Sequence, residues 1–122
     1  MINITRKYKN YNITYSAVNM GKDWNISIFG GDTPHIGAVA IGIPRESLSD
    51  PSIISSSVSL ITVTGHKEDV IVQPLAKLLS KKLNSTVVIS CGIHIDNISL
   101  QDILEINKII DTLVEEFLLE VN

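Results

Sequence analysis

Ile36-Gly37-Ala38-Val39-Ala40-Ile41-Gly42-Ile43 carries no charge, and its side chains sort by size. At the two-residue period of a strand, Ala38, Ala40 and Gly42 share one side, and Val39, Ile41 and Ile43 share the other. The small side lets a helix or a second sheet approach the backbone closely. Towards the N-terminus, Ile13, Tyr15 and Ala17 alternate with Asn12, Thr14 and Ser16, and Trp24, Ile26 and Ile28 alternate with Asn25 and Ser27. That pattern predicts half-buried strands, joined through the hairpin turn Asn19-Met20-Gly21-Lys22-Asp23. Towards the C-terminus, Val58 to Val63 and Thr86 to Cys91 read as further, largely buried strands, and Ser-rich Ser47 to Ser57 as a surface loop.

Two segments change to helical spacing. Val70, Ile71, Leu75, Leu78, Leu79 and Leu83 form an apolar stripe, with Lys81, Lys82 and a left-handed Asn84 suited to its C-terminal end. Pro74 belongs in the first turn or marks a kink. In the second segment Ser99 and Asp102 form a capping-box pair ahead of the face Ile103, Ile106, Ile110, Leu113 and Phe117. Strands early and helices late predict an α+β fold: one domain over residues 1–122, a mainly antiparallel sheet of five to six strands with two helices.

Composition excludes several classes. A chain of 122 residues with 44% hydrophobic residues can bury a core without disulfide or metal support. Scattered Lys and Arg, a net charge of −3 and 5% aromatic residues give no footprint for nucleic acid. Cys91 is the single cysteine and sits in an apolar run, which predicts an inert buried thiol and a reducing compartment. No stretch approaches the roughly 20 apolar residues of a membrane span, and the expected location is cytoplasmic.

All three histidines lie in glycine-containing turns after strands: Gly30-Gly31-Asp32-Thr33-Pro34-His35-Ile36-Gly37, Gly65-His66-Lys67-Glu68-Asp69 and Gly92-Ile93-His94-Ile95-Asp96-Asn97. Glycine permits close approach of backbone to a ligand, and the second and third turns lead to helix N-termini, which favour anions. Turns between strands and helices also want Gly and Asx residues, so each has a purely structural reading beside the functional one. His35, His66 and His94 with Asp32, Glu68 or Asp96 have the donor chemistry of a zinc or iron site, but no pair has the short spacing of a zinc motif. No nucleophile elbow, Walker loop or dinucleotide fingerprint is present.

In these three turns the chain resembles the LpdD-like proteins, relatives of the D subunit of gallate-type decarboxylases described as prenylated-flavin chaperones. Their fold is similar to that of proteasome assembly chaperones, which commonly dimerise. The resemblance runs from Gly30 to Asn97 and implies a non-catalytic homodimer that holds prenylated FMN for a UbiD-type decarboxylase. By the same carry-over, Gly30, Gly31, Gly65, Gly92 and Asn97 shape the cofactor-binding turns. His35, His66, Lys67 and His94 become its polar contacts, with Asp32, Glu68 and Asp96 orienting them. The alternatives are an interaction module with structural histidine turns and a metal-dependent enzyme using His35, His66 and His94. Self-association is expected through the last helix, with Leu118 and Leu119 covered by a partner and Arg6, Lys7 or Lys9 set opposite its glutamates.

Overall fold

The computed structural model describes residues 1–63 and 68–121. Its elements run β1 (Ile2–Tyr8), β2 (Tyr11–Met20), β3 (Asp23–Gly31), β4 (Ala38–Glu46), β5 (Ile54–Thr62), α1 (Asp69–Leu83), β6 (Val87–His94) and α2 (Leu100–Val121). The six strands form one sheet in the order β1-β2-β3-β6-β4-β5. Every neighbouring pair is antiparallel except β3 with β6, so the α+β expectation holds with one parallel pair at the centre. That pair arises because β6 returns after α1 and inserts between β3 and β4.

The alternation in the sequence places the core. Ile13, Tyr15 and Ala17, then Ile26 and Ile28, then Val87, Ile89 and Cys91, then Ala38 and Ala40 form one buried face. The expected small side of β4 lies beneath α1. A side chain at Gly42 would strike the Ala76 carbonyl of that helix, so the close approach needs glycine. Phe117 of α2 packs against the Tyr15 and Trp24 rings at centroid distances of 5.2 and 5.0 Å. Both helices therefore cover the same face, α1 over β4, β5 and β6, and α2 over β1 and β2.

Both edges of the sheet differ from the sequence expectation. β1 was not predicted: Ile2 and Ile4 alternate, but Arg6 and Lys7 interrupt the apolar pattern of this edge strand. β5 begins at Ile54, inside the predicted loop 47–57, and is an edge strand rather than a largely buried one, with Ile61 73% exposed. Pro74 falls in the second turn of α1, and Asn84 caps the helix at φ 47° as expected.

The last helix also changes the expected dimer. Arg6 pairs with Glu116 of its own chain, and Lys9 pairs with Asp102. Leu118 and Val121 pack against the core, leaving Leu119 exposed. Intramolecular partners thus occupy groups that had been expected to meet a second copy.

Candidate functional site

The parallel pairing of β3 with β6 brings two histidine turns together. Gly31, at the end of β3, is the register partner of His94, at the end of β6. The loop after β3 then crosses the end of β6 on its way to β4. The Asp32 amide donates to the His94 carbonyl and the Gly37 amide to the Cys91 carbonyl. A side chain at Gly92 would overlap the His35 carbonyl at 1.7 Å, so the crossing requires glycine there. Gly30 lies against the β2 backbone with as little room. The imidazoles of His35 and His94 consequently stand 6.4 Å apart between ring centroids.

Glu68, immediately before α1, completes the group. Its Oε1 lies 3.1 Å from His35 Nε2, and its side chain is 10% exposed. A Cβ on Gly37 would come within 2.3 Å of the Glu68 carboxylate, so this glycine makes the room that the carboxylate occupies. The other ring nitrogen of His35, Nδ1, lies 3.0 Å from the Thr33 carbonyl. Both nitrogens therefore face oxygen atoms, which fixes the plane of the ring. His94 is more open: its Nε2 meets Asp96 Oδ1 at 3.0 Å, and half of its side chain is exposed.

Of the acids expected to orient the histidines, Glu68 lies against His35 and Asp96 against His94. Asp32 does something else: its Oδ2 accepts from the Asp96 backbone amide and ties the first turn to the third. Asn97 sits at φ 57° and shapes the turn leading to α2. Gly65, His66 and Lys67 lie outside the described residues. Cys91, expected to be buried and inert, is 1% exposed. Burial, and next the charge of Glu68, push its thiol up to about 12.

Behind the histidines opens a cleft of about 380 Å³. His35, Glu68 and His94 stand on its polar side, while Ile71, Ile93 and Ile106 are among its apolar lining. This cleft was hidden in the sequence. Val70 and Ile103 carry the helical spacing of core residues, yet they are 70% and 42% exposed because they line it. A second groove of about 360 Å³ continues between α1 and α2, sharing Val70, Ile71 and Asn107 with the first.

The donor set does not form a metal centre among the described residues, where no group of three or more His, Cys, Asp or Glu side chains is placed to hold an ion. Nor, among these residues, is any helix long and apolar enough to cross a membrane. A search of curated proteins finds no match. Comparison with protein families does: the family described as prenylated flavin chaperone LpdD-like domain matches residues 7–122, nearly the whole chain, and the chain belongs to it.

Proposed function

We propose that this protein binds prenylated FMN in the cleft behind His35 and His94 and passes it unchanged to a UbiD-type decarboxylase. The cleft is the observation that carries this reading: an apolar slot of about 380 Å³ with polar groups gathered at one side. Its size falls in the lower part of the range for small-molecule sites, roughly 300–1,000 Å³. Isoleucine and valine walls suit a prenylated ring, and the polar side suits the ribityl and phosphate groups.

The charges assign the roles more finely. His35 is committed to Glu68 and to the Thr33 carbonyl, so it builds the wall. Exposed His94 turns towards the ligand, and His66 and Lys67, directly before Glu68 in the chain, supply charge for the phosphate. Glu68, Asp32 and Asp96 would repel a phosphate, which makes those cationic neighbours necessary. Catalysis is not required of any of them.

Titration with prenylated FMN, followed by flavin absorbance, tests this reading. Saturable binding is expected, with His66→Ala and Lys67→Ala each weakening it by roughly 1.5–3 kcal/mol, the range for hydrogen bonds to charged groups. Added salt should weaken binding further. Wild-type protein that binds no flavin would remove the proposal.

The chain works as a homodimer, and β5 is the edge we assign to the contact. From Ile54 to Thr62 this strand contains no charge and no proline, whereas β1, at the other edge, carries Arg6 and Lys7. Sedimentation at micromolar concentration is expected to give a dimer that Ile61→Lys dissociates without unfolding. A monomeric wild type would discard it.

A further inference from the structure

The two grooves meet at Asn107. This residue lines both the cleft behind the histidines and its continuation between the helices. Around it the walls are apolar: Ile71 from α1, and Ile103 and Ile106 from α2. Asn107 is half-buried, and its carboxamide makes no hydrogen bond to any described residue. Asp111, one turn further along α2, is exposed and lines only the second groove. A polar side chain in an apolar wall, with no hydrogen-bond partner among the described residues, is placed to meet a polar group of whatever fills the cleft.

We infer that Asn107 recognises the flavin ring by pairing with its imide edge. The inference rests on the flavin reading of the cleft and adds the residue that selects the ring. A carboxamide presents an acceptor oxygen beside an NH2 donor. The pyrimidine end of an isoalloxazine presents an N3–H flanked by two carbonyls, so one N–H and one adjacent C=O match the carboxamide in a paired hydrogen bond. Isoleucines can cover the faces of the ring but cannot distinguish its edges; Asn107 can. A carboxylate at the same position would accept from N3–H and repel the neighbouring carbonyl oxygen. The polar side of the cleft then holds the phosphate end and Asn107 holds the ring end.

The experiment compares prenylated FMN with its N3-methyl derivative on wild type, Asn107→Leu and the near-isosteric Asn107→Asp. Wild type should lose about 10-fold in affinity when N3 is methylated, the equivalent of one to two hydrogen bonds. Asn107→Leu should bind the unmethylated ligand about 10-fold more weakly and show no further loss on methylation. Asn107→Asp, which keeps the shape, should also bind more weakly than wild type. Equal methylation penalties in wild type and Asn107→Leu, or full affinity in Asn107→Asp, would overturn the assignment while leaving the flavin site standing. Failure of wild type to bind prenylated FMN would overturn both.

Discussion

At the start of α2, Ser99 Oγ accepts from the Asp102 amide and Asp102 Oδ2 accepts from the Ser99 amide, a reciprocal capping box. Asp102 Oδ1 takes two more donors from the β1–β2 hairpin, the Tyr8 hydroxyl and the Lys9 ammonium. At the start of α1, Glu68 occupies the N-cap position but makes no side-chain cap hydrogen bond, and its carboxylate points to His35 instead. Both helix starts contribute residues to the one cleft. One carboxylate is spent on holding a helix in place, and the other is spent on the site. Stability and binding should therefore separate cleanly between the two.

The largest expected effect on stability is at Asp102. The Tyr8 hydroxyl first, then the Lys9 ammonium and the Ser99 amide, hold its carboxyl below the ordinary aspartate range. A carboxylate depressed in this way stabilises the fold above its unfolded-state value, near 4, and that contribution is lost as pH falls through the folded value. Wild type should consequently lose melting temperature on acidification from about pH 5 downward. Asp102→Asn should melt lower at neutral pH and show a flatter acid limb. An Asp102→Asn protein with the wild-type melting profile would break the contrast between the helices.

Ser99→Ala removes only half of the capping box. It should cost about 1 kcal/mol by chemical denaturation, less than Asp102→Asn, and leave flavin affinity unchanged. Glu68→Gln should do the reverse. With no cap bond to lose, the helix start should survive with a smaller stability change than in Ser99→Ala. His35, deprived of its carboxylate, should lose its fixed orientation, and flavin affinity should fall. Melting curves and titrations on the same two proteins decide the matter; equal binding losses would merge the two helix starts into one function.

This contrast was half legible in the sequence. Ser99 and Asp102 are three residues apart, and local spacing is enough to write a capping box. Strand alternation likewise located β2, β3, β4 and β6. The pairing of Glu68 with His35 spans the chain from α1 back to the β3–β4 loop, so no local pattern announces it. The cleft was invisible for a related reason. Val70, Leu78 and Ile103 fit a core stripe by spacing, and only the gap between α1 and α2 turns them into walls. β1 and β5 were misjudged because edge strands need only one good face, which lets Arg6, Lys7 and a run of serines interrupt the usual signal.

Lys9 gives the smallest and sharpest test of the latch on α2. Its ammonium lies 2.9 Å from Asp102 Oδ1, but 62% of its side chain is exposed, so water and salt screen the ion pair. Its backbone sits at φ 53°, the left-handed region, in the turn between β1 and β2. A residue with a Cβ pays roughly 1–2 kcal/mol there, and glycine does not. Lys9→Gly thus removes a screened attraction and a backbone strain together, while adding some unfolded-state entropy for folding to overcome. The net change in stability should lie within about 0.5 kcal/mol of zero. What should change is the salt response: the part of wild-type stability that screening removes should shrink in Lys9→Gly. The Tyr8 hydroxyl still donates to Asp102, so the acid limb should remain. If Lys9→Gly instead melts as low as Asp102→Asn, the latch is an ion pair rather than a hydrogen-bonded cap, and the start of α2 is held by charge.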